Sequence, residues 1–137
     1  MATSQDLNAL LDLLRAGKVL AVDVEGQSIR YVLVYETVRS QAELYLLRAG
    51  QKMPAHQHSA IDDVFLGVGG RGRIRVWDAA GNHEDHLIEP GSVLIVEPGS
   101  PHEVSCNGEE FCYLLTQSPK EAYDLVSYAT AAGDKDA

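Results

Sequence analysis

The chain has 137 residues, enough for one domain and too few for two domains of ordinary size. Hydrophobic residues make up 45% of it and charged residues 23%, a composition that is typical of soluble globular proteins and excludes a disordered, collagen-like or coiled-coil chain. Eleven basic and twenty acidic side chains give a net charge of -9, which disfavours nucleic acid and anionic membrane surfaces as partners.

The sequence shows neither a secretory leader nor a membrane span. Its first residues lack a basic opening, and its longest apolar runs, such as residues 93–96, fall far short of the roughly 20 residues that span a bilayer. Cys106 and Cys112 are too few for a disulfide framework. We therefore expect reduced thiols, a cytoplasmic location and no membrane partner.

An amphipathic helix is predicted over residues 4–16, within a segment of residues 1–17 that packs on the rest of the domain. Ser4 is its expected N-cap and Gly17 is its expected stop. Its apolar positions fall at helical spacing: Leu7, Leu10, Leu11 and Leu14.

Residues 18–117 alternate short β-rich runs with turn signals, a pattern that favours a sandwich or barrel. Gly69-Gly70 is predicted to be a turn, and Asn107-Gly108 between two apolar runs predicts a hairpin. The predicted strands are Lys18–Val24, Ser28–Glu36, Gln41–Arg48, Val64–Val68, Gly72–Trp77, His83–Ile88, Ser92–Val96, Glu103–Cys106 and Glu110–Thr116.

A second helix is predicted in residues 118–137, followed by a frayed tail from residue 132. Ser118-Pro119-Lys120-Glu121 has the form of a capping box with proline at the first helical position. The expected apolar stripe consists of Ala122, Leu125, Val126 and Ala129. The whole chain is thus one domain, a β-barrel with a short helix at each end.

Three histidines lie where they can share a metal ion. His56 and His58 are separated by one residue, which places both imidazoles on the same face of an extended chain. Asp62-Asp63 follows closely, and His102 comes after a Pro-Gly turn. Histidine nitrogens with one carboxylate form a mixed site for Fe(II), Mn(II), Ni(II), Zn(II) or Co(II).

The first histidine pair belongs to a longer spaced pattern. Gly50 is followed by five residues, His56-Gln57-His58, four further residues, Asp63, six more residues and Gly70. A spacing of three residues, from Asp62 to Gly69, fits nearly as well.

A second pattern contains Gly91, Gly99 and His102. Together the two patterns resemble the two motifs of the cupin superfamily, over roughly residues 44 to 117. The resemblance implies a double-stranded β-helix, or jelly-roll, barrel. It also implies one divalent metal per protomer held by His56, His58, His102 and a carboxylate.

The sequence departs from the cupin pattern at three positions. Glu97 and Cys106 stand where the motif has proline and asparagine, and an aspartate replaces the usual glutamate. Since aspartate is shorter, it either reaches the metal from a closer strand or binds through water. Both arrangements occur among proteins that this chain resembles.

Strand alternation favours Asp63 as the carboxylate ligand, with Asp62 as the alternate. Asp63, Phe65 and Gly67 lie on one face of the predicted strand, where glycine leaves room for a ligand. We expect Phe65 and Gly67 to line the substrate pocket, together with Arg73 and Arg75.

Arg71, Arg73 and Arg75 alternate along one strand, and two interpretations are open. They form either a basic stripe for an anionic substrate or, as the acidic composition favours, the solvated face of a sheet. A possible general base is also left open among Glu97, Glu103 and the aspartate that does not bind metal.

The resemblance implies a metal-dependent enzyme that acts on a small organic substrate, with dioxygenase-like chemistry as the first hypothesis. Fe(II) or Mn(II) is favoured, and Ni(II) or Zn(II) also fits. A redox-neutral isomerase, lyase or cyclase is one alternative, and a non-catalytic sugar- or metal-binding module is another. We expect a homodimer, with the apolar face of residues 64, 66 and 68 and the segment 18–36 as candidate contacts.

Overall fold

Nine strands and one α-helix make up residues 2–129, the part of the chain that this computed structural model describes. The helix, α1 (Leu7–Arg15), comes first. The strands are β1 (Leu20–Val24), β2 (Gln27–Glu36), β3 (Gln41–Arg48), β4 (Lys52–Gln57), β5 (Asp62–Trp77), β6 (His83–Ile88), β7 (Val93–Val96), β8 (His102–Ser118) and β9 (Val126–Ser127). They form one curled antiparallel sheet, in which β8 pairs with β3 and β4 on one side and with β5 on the other. The predicted all-β jelly-roll barrel is therefore confirmed. Within residues 2–129, no helix has the length and apolar character needed to cross a membrane.

The helix α1 begins later than predicted and uses a different cap. The Asp6 carboxylate accepts hydrogen bonds from the backbone N–H groups of Asn8 and Ala9, at 3.0 and 3.3 Å. Asp6 rather than Ser4 is the cap because its side chain reaches these free N–H groups and its charge favours the helix N-terminus. Gly17, with φ +73°, follows the last turn as predicted.

The strand β3 separates two apolar clusters. Leu44 and Leu46 pack with α1 on one face of the sheet, whereas Tyr45 packs toward the barrel interior. The buried members of the interior cluster are Ile29, Leu47, Phe65, Ile74, Ile88, Val96, Val104, Phe111 and Tyr113. The barrel thus buries its interior with its own strands, and α1 covers part of its outer surface.

Two long strands, β5 and β8, form the central pair of the barrel. They pair from Asp62 opposite Ser118 to Val76 opposite His102. The sequence predicts each of them as two shorter strands, and the predicted turn at Gly69-Gly70 and hairpin at Asn107-Gly108 are wrong. Residues 107–110 instead bulge opposite Arg71, and β8 continues on both sides of the bulge, paired with β3 from Glu110 onward and with β4 up to Ser105.

Glycine is required where the two long strands bulge. A Cβ at Gly70, which has φ +65°, would lie 2.0 Å from the carbonyl oxygen of Glu110. A Cβ at Gly72 would lie 2.0 Å from the Phe111 ring. The close approach of the strands therefore explains these glycines better than a chain reversal does.

The predicted C-terminal helix is not formed in the described part of the chain. Residues 120–122 make a single 3₁₀ turn, and the chain then extends into β9, which pairs with β4. Tyr128 N–H donates to the Ala55 carbonyl at 3.1 Å. A short isolated helix has only marginal stability. Residues 126–128 instead form backbone hydrogen bonds with the open edge of β4. We call residues 123–128 the C-terminal strap; the predicted frayed tail from residue 132 lies outside the described residues.

Candidate metal centre

Three strands bring three histidines and one aspartate together. Pairing of β4 with β8 sets His56 opposite His102, and His58 follows two residues later. Asp63 comes from the start of β5. One ligand atom from each of His56, His58, Asp63 and His102 lies within 4.8 Å of the others. The structure thus joins the four residues that the sequence selected, and Asp62 is exposed and outside the cluster.

Each histidine in the cluster is held by a backbone carbonyl through its Nδ1 atom. The donor–acceptor distances are 2.7 Å from His56 to Pro54, 2.5 Å from His58 to Asp124, and 2.9 Å from His102 to Ser100. Because a carbonyl only accepts hydrogen bonds, each Nδ1 carries a proton. A neutral ring then presents an unprotonated Nε2, which is the form that binds a metal.

The Asp63 carboxylate closes the cluster. Its Oδ1 accepts a hydrogen bond from Gln117 Nε2 at 3.0 Å, and its Oδ2 lies 3.2 Å from His58 Nε2 and 3.1 Å from His102 Nε2. These two Nε2 atoms and Oδ2 are buried, with no hydrogen-bond partner among residues 2–129. Lone pairs that face each other in this way require a cation between them, either a proton or a metal ion.

The donor set fits a divalent transition metal. Three imidazole nitrogens and one carboxylate oxygen are a common ligand set for Fe(II), Mn(II), Ni(II) and Zn(II). The separations of 3.1 and 3.2 Å suit atoms that share one ion through bonds of about 2.1 Å. The buried, unpartnered atoms are thus where a metal would satisfy them.

The electrostatics of the cluster favour a charged carboxylate. Burial tends to raise the pKa of Asp63, but His102 and His58 outweigh it and hold that pKa well below its usual range. Burial, reinforced by His102, lowers the pKa of His56 to about 4. For His58, burial also lowers the pKa, but the contacts with Asp63 and Asp124 prevail and raise it.

The cluster borders a cavity of about 730 Å³ inside the barrel, to which His56 and His58 contribute. Its wall is partly apolar, and the C-terminal strap covers one part of it. The apolar and aromatic lining includes Val22, Val24, Tyr45, Met53, Phe65, Tyr113, Leu115, Tyr123, Leu125 and Tyr128. A volume of this size accommodates a small organic molecule beside the cluster.

Of the four residues predicted for the substrate pocket, Phe65 lines this cavity and the others do not. Gly67 packs so closely against neighbouring backbone that an added Cβ would lie 2.1 Å from the Glu89 carbonyl oxygen. Arg73 lies 3.9 Å from Asp85, and Arg75 binds Asp85 at 2.8 Å. Hence the arginines form cross-strand ion pairs.

A bulge in β5 explains this outcome. The register shift between Gly67 and Gly69 places one extra residue in β5, whereas the shift between Gly70 and Gly72 places the extra residues in β8. Odd-numbered Phe65 and even-numbered Ile74 therefore share the interior cluster. The extra residue in β5 reverses the facing of the residues after it, so Arg73 and Arg75 lie on the face opposite Ile74, beside Asp85. This agrees with the interpretation that places the arginines on a sheet face outside the pocket, and not with their assignment to the pocket.

Sequence reasoning missed several residues around the cluster. Gln117 orients Asp63, and it falls one residue beyond the predicted end of its strand. Asp124 supplies the carbonyl that holds His58, and the Tyr123 ring lies 5.2 Å from the His58 ring. The pattern of β8 offers a signal for Gln117, since it continues the alternation of Tyr113 and Leu115. The strap residues had no such signal, because the sequence predicts a helix for that segment.

Comparison with protein families now identifies the fold. The family model described as Cupin domain matches residues 43–117. The chain belongs to the cupin family. Its motif departures are local: in this cupin the Pro98-Gly99 turn is retained, with Gly99 N–H donating to the His58 carbonyl at 2.7 Å.

Solved structures with the same fold are similar at low sequence identity. A conserved Klebsiella pneumoniae protein with a double-stranded β-helix domain is 17% identical, with a TM-score of 0.68 over 93% of this cupin and 100% of that chain. The TT1209 protein from Thermus thermophilus is 24% identical, with a TM-score of 0.65 over 86% of this cupin and 98% of that chain. Bacillus subtilis oxalate decarboxylase, described with Mn(II) centres, is 18% identical, with a TM-score of 0.67 over 84% of this cupin and 31% of that chain. No curated protein sequence matches this cupin.

Proposed function

We propose that this cupin is a metal-dependent enzyme that acts on a small organic substrate with dioxygenase-like chemistry. The observation that carries the proposal is the convergence of three histidines and Asp63 beside a cavity of about 730 Å³. Their buried, unpartnered atoms would hold one divalent ion, with Fe(II) or Mn(II) favoured and Ni(II) or Zn(II) also compatible.

The chain's own residues would prepare the site in advance. The carbonyls of Pro54, Ser100 and Asp124 hold the imidazole tautomers, and Gln117 fixes the Asp63 carboxylate. When bound, the divalent ion would polarise a substrate oxygen and, if it is iron, allow O2 to react beside the substrate. The partly apolar cavity wall would exclude bulk water from that reaction.

A redox-neutral reaction is the second candidate, and Glu103 favours it. This residue is 2% exposed and lines the cavity, and its two oxygens lie 3.7 Å from Arg73 Nη2 and 3.8 Å from Lys52 Nζ. A buried carboxylate in the cavity wall would serve as a proton acceptor without any oxidant. The likeness to an oxalate decarboxylase with Mn(II) centres is consistent with this alternative.

The test starts with the metal content of protein purified without oxygen and without a histidine tag. We expect about one equivalent of iron or manganese per chain, or its uptake on reconstitution. Metal-loaded protein is then screened with catechols, β-diketones and α-hydroxy acids, while O2 uptake and product formation are followed. His56→Ala is the site variant, and His86→Ala, outside the cluster, is the matched control.

The outcomes separate the hypotheses. O2 uptake that depends on His56 supports the dioxygenase-like enzyme, whereas turnover of the same substrate without O2 supports the redox-neutral alternative. Metal or sugar binding without turnover would indicate a binding module. Failure to take up any divalent ion would overturn the metal-dependent proposal.

We further propose a cytoplasmic homodimer with a small-molecule substrate and no nucleic-acid or membrane partner. An apolar strip supports the dimer: Val93 and Ile95 of β7 are 59% and 63% exposed and pair with Leu66 and Val64 of β5. Exposed apolar strips of this kind favour a protein contact.

A further inference from the structure

We propose that the cavity selects a small molecule whose end remote from the metal centre is neutral or cationic, and that Glu43 is the residue that determines this specificity. One end of the molecule would bind at the metal centre through oxygen, and the other end would offer a hydrogen-bond donor or an ammonium group to Glu43. This inference rests on the proposed metal-dependent function and names the substrate class of the same site.

Strand register places Glu43 at a distance from the metal centre that a small molecule can span. In one row across the sheet, Gln41 of β3, Gln117 of β8 and Asp63 of β5 are successive neighbours. The next row on the same face runs from Glu43 through Leu115 to Phe65. Glu43 therefore lies two strand spacings, roughly 10 Å, from Phe65 in its own row, and Asp63 ends the adjacent row on the same face.

Glu43 is a carboxylate that is held inside the cavity and remains able to bind. It is half-buried, and its Oε1 accepts a hydrogen bond from Tyr45 Oη at 3.1 Å. No hydrogen bond from residues 2–129 occupies its other oxygen. Burial raises the pKa of Glu43, against the opposing effect of Tyr45, so an approaching donor or cation would stabilise the ionised form.

The charges of the cavity wall oppose a second carboxylate on the substrate. The wall contains three glutamates, Glu25, Glu43 and Glu103. Lys52 is its one lysine or arginine among the described residues, and its Nζ lies 3.8 Å from Glu103. Glu103 also lies 3.7 Å from Arg73, so the like charges that a dicarboxylate would meet are those of Glu25 and Glu43.

The surface between the two polar ends is apolar. Phe65 and Leu115 lie between Asp63 and Glu43 in the register of the three strands, and both line the cavity. Apolar contacts with these side chains would stabilise a hydrocarbon or aromatic middle section. The wall thus fits a molecule that has an oxygen ligand, an apolar body and a donor at its far end.

The test uses the full chain loaded with Co(II), whose visible spectrum reports ligand binding at the metal. Three matched α-hydroxy acids serve as probes: 2-hydroxyhexanoate, 6-amino-2-hydroxyhexanoate and 2-hydroxyadipate. They share the chelating end and differ at the remote end, which is apolar, cationic or anionic. We expect the amino probe to bind at least about tenfold more tightly than the adipate probe, with the apolar probe between them.

Glu43→Gln keeps the size of the side chain and removes its charge. We expect this variant to lose most of the preference for the amino probe and to bind 2-hydroxyhexanoate as the wild type does. Glu109→Gln, which removes an exposed carboxylate outside the cavity, is the matched control and is expected to keep the preference. Tyr45→Phe provides a second variant if Glu43→Gln fails to fold, and it is expected to change the same preference by a smaller factor.

The experiment distinguishes failure of this inference from failure of the proposed function. Absence of Co(II) binding would overturn the metal-dependent function, and this inference with it. Co(II) binding with equal affinity for the three probes, or with tightest binding of 2-hydroxyadipate, would overturn only the role of Glu43. The same probe preference in wild type, Glu43→Gln and Glu109→Gln would do so as well.

Discussion

Asp63 and Asp85 are two carboxylates that lie beside basic side chains in the same barrel, and their partners differ in kind. Asp63 is 1% exposed and faces the Nε2 atoms of His58 and His102, which are left without hydrogen-bond partners in the described chain. Asp85 is 35% exposed and binds the Arg75 guanidinium through both its oxygens, at 2.8 and 3.2 Å.

The two carboxylates differ in whether the protein itself balances their charge. Arg75 always carries its charge, so the Asp85 pair is complete within the protein. Neutral imidazoles bring no charge, so Asp63 and its neighbours remain incomplete until a cation binds. Hence the same pairing of acid and base indicates a binding site in one place and a structural contact in the other.

The most direct test of the difference between Asp63 and Asp85 is to replace Asp63 by asparagine. We expect Asp63→Asn to lower the affinity for Mn(II) or Zn(II) by more than about 100-fold. This loss is larger than the one expected when a residue that only hydrogen-bonds to a metal ligand is replaced. Affinity is measured by competition with a chelating dye. The rise in Tm on metal addition should fall in parallel. Asp85→Asn, the matched control, should bind metal as the wild type does.

Gln117→Leu tests whether the hydrogen bond to Asp63 Oδ1 prepares the site. Removal of that donor lets the carboxylate rotate, so we expect metal affinity to fall by about 10- to 100-fold. The Co(II) spectrum should also change, because one ligand is less well oriented. Thr116→Val removes a polar group from the neighbouring residue and should leave the affinity unchanged; equal losses in the two variants would contradict the proposed role of Gln117.

Asp85→Asn should instead lower the stability of the metal-free protein, by about 1 kcal/mol, since partial exposure to solvent weakens the ion pair. The hydrogen bond and charge of Arg75 lower the pKa of Asp85 below its ordinary 3.8. A carboxyl group whose pKa is lower in the folded state stabilises the fold at pH values above its pKa in the unfolded chain. That contribution is lost as the pH falls through its pKa in the folded protein.

Urea unfolding at several pH values measures this effect. The stability difference between wild type and Asp85→Asn should be constant near neutral pH and should shrink below about pH 3.8. A difference that persists unchanged in acid would mean that the Arg75 contact is not its cause.

The smallest expected effect concerns the exposed strip on β7. We expect Ile95→Lys to shift the protein from dimer to monomer in sedimentation, because a charge placed in an apolar contact must be desolvated. Metal affinity should not change, since Ile95 is outside the cluster. A wild-type monomer, or a dimer that is insensitive to Ile95→Lys, would contradict this contact.

Local spacing selected the histidine pair of the metal cluster, and the resemblance to the cupin motifs implied its other members. His56 and His58 differ by two positions, so an extended chain places them on one face whatever the rest of the fold. Two motif spacings were possible, Asp63 to Gly70 and Asp62 to Gly69. The structure agrees with the first, because Gly70 has a positive φ at a bulge and Gly69 does not. The cupin motifs then implied the barrel that brings His102 to the pair.

Long-range pairing decided what spacing could not. The bulge in β5 forms where its register with β8 shifts between Gly67 and Gly69, and it places Arg73 and Arg75 outside the expected pocket. A one-residue shift reverses the facing of all later side chains, so alternation predicts only as far as the first bulge.

The sequence by itself therefore determined the helix α1 and the short strands of a sandwich or barrel, because these follow from regular spacing, and its resemblance to the cupin motifs implied the jelly-roll class and the four clustered residues. Only the tertiary structure placed Gln117 on Asp63, Asp124 on His58, and Glu43 in the cavity wall. It also turned the predicted C-terminal helix into the strap, since the open edge of β4 supplied backbone partners. These contacts join residues far apart in the chain, and their energies depend on which strands become neighbours, which no local pattern encodes.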